Sequence, residues 1–165
     1  MISTVSFNEY VDVVAHRTSQ SKKVVKLVMT AYLAHVAREF EENGSVGVLG
    51  LFDLMDKTKV PSAQDIRTVP FAAQVSSEKF REILENLASD FEVVVLPKFP
   101  VALSVLTQFR QVVQVQIKQG NAVTLLKVGN VRVSESGSLQ VRKAASLGQG
   151  VSLVPKTFFK SLVKG

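Results

Sequence analysis

Few residues in this chain have the chemistry for metal binding or proton transfer. The sequence contains two histidines, His16 and His35, and no cysteine. Both histidines lie in segments with helical spacing and have no acid-rich motif beside them, whereas a protein metal site needs three or four converging ligands. We therefore interpret both as structural or solvent-facing residues, and we expect neither a metal nor another cofactor.

The acidic and glycine positions after residue 43 are the other candidates for chemistry. Asp53 and Asp56 are three positions apart in a predicted edge strand, so alternation places them on opposite faces, whereas an acid–base pair needs a shared cleft. The glycines Gly44, Gly47 and Gly50 are not followed by the helix that a phosphate-binding loop requires. No nucleophile has a base beside it. The sequence predicts a protein that is not an enzyme.

Positive charge is concentrated in the second half of the chain. Residues 1–90 contain 10 Lys or Arg and 12 Asp or Glu, a net charge of −2. Residues 91–165 contain 10 Lys or Arg and only two acidic residues, Glu92 and Glu135, a net charge of +8. Such asymmetry is typical of a protein with one lobe that meets a polyanion, although a basic lobe can also serve solubility alone.

Hydrophobic spacing divides the chain into two similar runs of elements. In the first, we predict helices over 7–17 and 21–42, strands within 45–50 and 51–55, and a helix over 76–88. In the second, we predict a helix over 101–118, strands over 122–128, 131–133 and 139–143, and a helix over 156–164. Residues 111–118 alternate between polar and apolar, a pattern that a strand also shows.

Composition also bounds the compartment. No run of about 18 apolar residues is present, and the first residues lack the basic flank and apolar stretch of a secretory signal. The absence of cysteine excludes disulfides and fits a reducing compartment. We expect a cytoplasmic protein without a membrane partner.

The first half resembles the histone-like family of HU and integration host factor. The resemblance is carried by residues 19–23 between the first two helices, by 43–52 with their glycine turn, and by 69–71 followed by 76–87. The second half repeats the pattern from about residue 98 to 162, without a separate copy of the first helix. The resemblance implies an α+β fold of tandem units, 1–90 and 91–165, each a helical body with short antiparallel hairpins. The two units form an intramolecular pseudo-dimer, or the same apolar faces join two chains in a homodimer.

The family resemblance also implies an architectural, sequence-nonspecific DNA-binding function of the kind found in nucleoid and phage proteins. Its members wrap duplex DNA with two long arms and wedge a proline between base steps. Here the first arm is short and offers only Pro61 as a wedge, and residues 134–138 replace the second arm with a tight turn. We therefore expect contacts to phosphates rather than sharp kinking of the duplex.

The candidate phosphate-binding residues are basic positions in both halves. Alternation places Arg132 on the face opposite Val131 and Val133. The full set comprises Lys127, Arg132, Arg142 and Lys143 around the second hairpin, Lys156 and Lys160 on the last helix, and Lys22, Lys23, Lys57, Lys59 and Arg67 in the first half. A solvated charged surface is the alternative interpretation of these residues. The corresponding alternative function is a protein-interaction or assembly module that has lost DNA binding.

Overall fold

The structure is a computed structural model with both helices and sheets. It describes the backbone of residues 4–56, 58–60, 62, 69–125, 129–133, 139–143 and 151–155, and the described side chains lie between Ser6 and Leu125. Five α-helices and seven strands lie within these residues. The predicted α+β class is therefore confirmed.

The first half begins with a short strand and two helices whose ends follow local rules. The elements are β1 (Thr4–Val5), α1 (Phe7–Thr18) and α2 (Lys22–Asn43). At the start of α2, the Ser21 hydroxyl accepts a hydrogen bond from Val24 N–H at 3.2 Å, which satisfies one of the free amides of a first helical turn. At its end, Gly44 has φ of +78° and its N–H donates to Phe40 C=O, the usual left-handed helix cap.

The remaining elements complete two sheets and the helical layer. The elements are β2 (Ser45–Val48), β3 (Phe52–Asp56), α3 (Phe71–Ser76), α4 (Glu78–Leu87), a 3₁₀ turn (Ala88–Phe91), α5 (Phe99–Lys118), β4 (Ala122–Leu125), β5 (Gly129–Val133), β6 (Leu139–Lys143) and β7 (Val151–Pro155). The predicted helices over 7–17, 21–42, 76–88 and 101–118 are confirmed within a few residues. The predicted helix over 156–164 lies outside the described residues.

The strands form two sheets that connect distant parts of the chain. The first sheet has the order β2-β3-β7, and the second has the order β1-β4-β5-β6. Strand β7 pairs antiparallel with β3, so the third strand of the first sheet comes from more than 90 residues further along the chain. Strand β1 pairs parallel with β4, which attaches the start of the chain to the second sheet.

The helices pack in a crosswise manner. Helix α1 packs against α5, and α4 packs against α2, while α2 also contacts α1 and α5. The rings of Tyr10 in α1 and Phe109 in α5 have centroids 5.9 Å apart. A single buried cluster includes residues from α1 through β4. The wide apolar face of α2 is thus covered by several neighbours, as its sequence predicts.

The structure decides two points about strands that the sequence pattern left open or misjudged. Residues 111–118 are helical despite their alternation, because Val113 and Ile117 continue the buried stripe of α5 that includes Phe109. The prediction that Asp53 lies on an edge strand was wrong. Strand β3 is the central strand of its sheet, between β2 and β7, and Asp53 is 6% exposed. The long-range pairing with β7 decided this, and no local pattern reveals it.

Candidate nucleic-acid interface

The hairpin of β5 and β6 brings two predicted arginines to one face. Its register pairs Asn130 with Arg142 and Arg132 with Gln140. Directly opposed residues share a face in an antiparallel pair, so these four positions lie on the same face of the sheet. Arg132 and Arg142 are diagonal neighbours, a relation that corresponds to about 7–8 Å between such positions.

The same face extends to the neighbouring strand. Thr124 in β4 pairs with Asn130, so it shares the face of Arg132 and Arg142. This face of β4–β6, called the arginine face below, contains the positions Thr124, Asn130, Arg132, Gln140 and Arg142. The residues of the three strands, β4 to β6, include no acidic and no aromatic residue.

Lys143 belongs to the opposite face by its register. It pairs with Gly129, which in turn pairs with Leu125. Leu125 and Val123 are buried in the core at 1% and 0% exposure. The structure therefore separates the position of Lys143 from that of Arg142, although the two are adjacent in sequence.

The first sheet has no exposed face on β2 and β3, the strands whose side chains are described. Every residue of β2 is buried, and in β3 only Asp56 is partly exposed. Asp53 and Leu54 are adjacent and therefore point to opposite faces of the sheet, and both are buried. One side of this sheet lies against α2, and Gly47 and Asp53 adjoin Val69 and Gln74.

Three predicted basic residues of the first half already have partners. Lys22 Nζ lies 3.1 Å from Asp12 Oδ1, Lys23 Nζ lies 2.6 Å from Glu92 Oε2, and Lys59 Nζ donates to the Glu41 carbonyl at 2.7 Å. The ammonium of Lys23 lowers the pKa of Glu92 through this hydrogen bond and its charge. Exposed pairs of this kind are weak, but they reduce the charge available to a phosphate.

Six predicted site residues lie outside the described part of the chain. They are Lys57, Pro61, Arg67, Lys127, Lys156 and Lys160. Their assignment to phosphate contacts or to a wedge stays a prediction from the sequence.

The histidines occupy two different environments. His16 is exposed on α1, whereas His35 on α2 is 4% exposed and stacks edge-on against Phe80 of α4, with ring centroids 6.2 Å apart. Burial lowers the pKa of His35, with smaller effects from Glu39, Lys79, Arg38 and Glu42. Among the described residues, no group of three or more His, Asp or Glu side chains is arranged to hold a metal ion.

Sequence reasoning missed a buried polar network and the cavities beside it. Gln74 in α3 accepts a hydrogen bond from Tyr32 Oη at 2.9 Å and donates to Gly47 C=O at 2.7 Å. Tyr32 Oη also accepts from Leu49 N–H at 2.6 Å. No local signal marks these contacts, because the partners are 17 to 42 residues apart. The polar positions beside the two arginines, Asn130 and Gln140, could have been found by pairing the two strands.

Comparisons with protein-family models, with curated proteins and with solved structures find no match to this chain. In the part of the chain that the structure describes, no helix is both long and apolar enough to cross a bilayer.

Proposed function

We propose that this protein binds the backbone of duplex DNA through the arginine face. The observation that carries the proposal is the register of β5 and β6, which puts the positions of Arg132 and Arg142 next to each other on one face. Guanidinium groups match the geometry of phosphate oxygens and form paired hydrogen bonds with them. The lack of acidic residues in β4, β5 and β6 removes local repulsion of a polyanion.

The charge distribution supports the same surface. The second half carries a net charge of +8, whereas the first half carries −2. Association with a polyanion therefore orients the second half toward it. Because base edges are not required for such contacts, binding is largely independent of sequence.

Duplex DNA fits this surface better than single-stranded nucleic acid. Non-specific single-strand binding relies on aromatic side chains on which the bases stack. The strands β4, β5 and β6 contain no aromatic residue. We therefore expect the arginine face to contact phosphates. The protein would then act in the cytoplasm, in association with the nucleoid.

The crosswise helix packing is compatible with a tandem HU-like arrangement. In this proposal, α1 and α4 are equivalent first helices, and α2 and α5 are equivalent long helices. Helix α4 then belongs to the second unit, and the boundary between the units moves from residue 90 to a point before residue 78. The packing of α1 on α5 and of α4 on α2 then obeys a single pseudo-twofold relation. Strand β7 pairs with β3 at one end of the first sheet, as β6 pairs with β5 at one end of the second sheet. The proposal thus gives the second unit a first helix, which the sequence pattern had not revealed.

Fluorescence anisotropy with a duplex of about 30 base pairs at two salt concentrations tests this function. Each phosphate contact contributes about 0.9 to the slope of log affinity against log salt concentration. Replacing both Arg132 and Arg142 with Gln should therefore lower the slope by about 2. The matched control is Arg81→Gln, which removes an exposed arginine on α4 and should leave the slope unchanged. Absence of binding by the natural chain at low salt would overturn the proposal.

A second candidate function, protein interaction, is favoured by an exposed apolar loop. Val94 and Val95 are 96% and 79% exposed between α4 and α5, two and three residues after Glu92, which pairs with Lys23. In the chain, this loop and the arginine face lie at opposite ends of α5, a helix of 20 residues that is about 30 Å long. Replacing Val94 and Val95 with Asp should abolish self-association in sedimentation experiments if this loop joins two chains. A chain that stays monomeric at high concentration would argue against that contact.

A further inference from the structure

The free edge of β2 presents backbone groups away from its sheet. Within the residues that the structure describes, strand β2 pairs only with β3, and the register sets Ser45 opposite Met55 and Gly47 opposite Asp53. Asp56 N–H donates to Gly44 C=O at 2.8 Å, so Ser45 and Gly47 occupy the alternate positions, whose N–H and C=O groups point away from β3. The hydrogen bond from Gln74 to Gly47 C=O arrives from that outer side.

These outward groups are buried and incompletely bonded. All four residues of β2 are buried. Among the described residues, Gln74 bonds the Gly47 carbonyl, while no hydrogen bond reaches the N–H of Ser45, the N–H of Gly47 or the C=O of Ser45. Buried backbone polar groups are nearly always paired with protein or water. The edge therefore has unused donors and acceptors at the spacing of a strand.

Two cavities adjoin this edge, and each has a volume of about 230 Å³. Gly47, Val69 and Gln74 line both cavities. Each is smaller than the pockets of about 300–1,000 Å³ that bind whole small molecules. Since a cavity of about 150 Å³ accepts a benzene-sized group, each suits one amino-acid side chain.

The linings of the two cavities differ in character. The first includes Ser45, Glu39 and Lys79, and the Lys79 ammonium lies 3.3 Å from Glu39 Oε1, so this cavity suits a polar side chain. The second includes Pro70 and Phe71 beside the buried Asp53, so this cavity suits a small side chain that is partly apolar. Alternate cavities of different character beside a strand edge are the feature that gives specificity to peptide recognition by strand addition.

We propose that the edge of β2 recognises an extended peptide segment of another protein, which adds as a strand and places one side chain in each cavity. The carboxamide of Gln74 has the same donor and acceptor groups as a peptide bond. Its hydrogen bond to Gly47 C=O is one that the backbone N–H of an added strand would make. The peptide displaces this carboxamide from Gly47 C=O and pairs with Ser45 and Gly47. The site lies on the first sheet, apart from the arginine face on the second, so it is independent of DNA binding.

Selection from a random peptide library of about seven residues on the full chain tests the proposal. Counter-selection uses Val69→Trp, because Val69 is 54% exposed and lines both cavities, so the indole blocks them without disturbing the core. The matched control is Val13→Trp, which adds the same side chain at an exposed position of α1, a helix that packs against α2 and α5. Selected peptides are then compared with versions N-methylated at alternate residues, which lose strand hydrogen bonds but keep their side chains.

We expect the selected peptides to bind the natural chain and Val13→Trp equally well, and to bind Val69→Trp at least about tenfold more weakly. N-methylation in one of the two alternating patterns should reduce binding by a similar factor, and the backbone amide signals of Ser45 and Gly47 should shift on titration. Failure to select any peptide that distinguishes natural chain from Val69→Trp would overturn it. Equal binding of the methylated and unmethylated peptides would also overturn it, because strand pairing would then be absent.

Discussion

The hydroxyl of Tyr32 donates to Gln74 Oε1 at 2.9 Å and accepts from Leu49 N–H at 2.6 Å. One buried oxygen thereby joins α2, α3 and the turn between β2 and β3. Leu49 has a positive φ of 54°, a conformation that is uncommon for a branched side chain. The hydrogen bond to Tyr32 holds this turn in place.

Removal of this oxygen by Tyr32→Phe should destabilise the fold. The change leaves Gln74 Oε1 and Leu49 N–H buried without their partner, at a cost of about 1–3 kcal/mol for each unsatisfied group. Urea unfolding followed by circular dichroism measures the loss.

The matched control for this substitution is Tyr10→Phe. The Tyr10 hydroxyl is also buried, but it has no hydrogen-bond partner among the described residues. Removing an unpaired buried hydroxyl should leave the free energy of unfolding unchanged or raise it. Equal losses for the two variants would show that the Tyr32 network contributes nothing specific.

Gly44→Ala should be more destabilising than Gly120→Ala. Both glycines have positive φ, +78° and +87°, which costs an L-residue about 1–2 kcal/mol. A Cβ at Gly44 would also lie 2.7 Å from Lys59 Cβ, whereas nothing lies within 4 Å at Gly120. Thermal unfolding of both variants measures the difference, and a larger loss for Gly120→Ala would contradict the packing at Gly44.

Burial of His35 should make stability depend on pH. Its pKa in the folded chain is lowered by burial between α2 and α4, with Glu39, Glu42, Arg38 and Lys79 nearby. Below the unfolded pKa of about 6.5, the unfolded state binds more protons than the folded state. The free energy of unfolding therefore falls as pH decreases below that value and is regained above it.

Urea unfolding at several pH values, compared with His35→Leu, isolates this contribution. The variant should lose the part of the pH dependence between about pH 5 and 7. The exposed His16 provides the control, because His16→Leu removes a histidine that lies outside the core. An unchanged pH profile in His35→Leu would be inconsistent with a buried neutral imidazole.

Arg142 and Lys143 should differ in their effect on DNA binding. Arg142 lies on the arginine face, whereas the register places Lys143 on the face of Val123 and Leu125. Arg142→Gln should therefore lower the salt slope by about 1, and Lys143→Gln should change it less. Anisotropy titrations of the two variants are a matched comparison, because each variant removes one positive charge and the two positions are adjacent in the chain. A larger effect for Lys143→Gln would place the interface on the other side of the sheet.

Local patterns predicted the helices and hairpins well. Ser21 and Gly44 mark the ends of α2, because a hydroxyl cap and a left-handed glycine act within one turn of the helix. The Ser-Gly-Ser sequence at 136–138 likewise predicted a hairpin, and the pairing of β5 with β6 agrees with it. Interactions of this range depend on residues that are near in sequence.

Long-range pairing was beyond the sequence patterns. Strand β7 was not predicted, and its pairing makes β3 a central strand and buries Asp53. Helix α3 was also not predicted, although its Gln74 connects Tyr32 with Gly47. Strand formation depends strongly on the neighbours that a segment meets in the fold.

The sequence by itself determined the partition of charge, the positions of the helix ends and the alternation that sets Arg132 apart from Val131 and Val133. These properties follow from composition and from contacts within a few residues. Only the tertiary structure decided that Arg142 shares the face of Arg132 while Lys143 does not, and that β2, among the described strands, lies at a sheet edge beside two cavities. The physical reason is that register and edge position are properties of pairs of strands, and the pair is formed only when the chain folds.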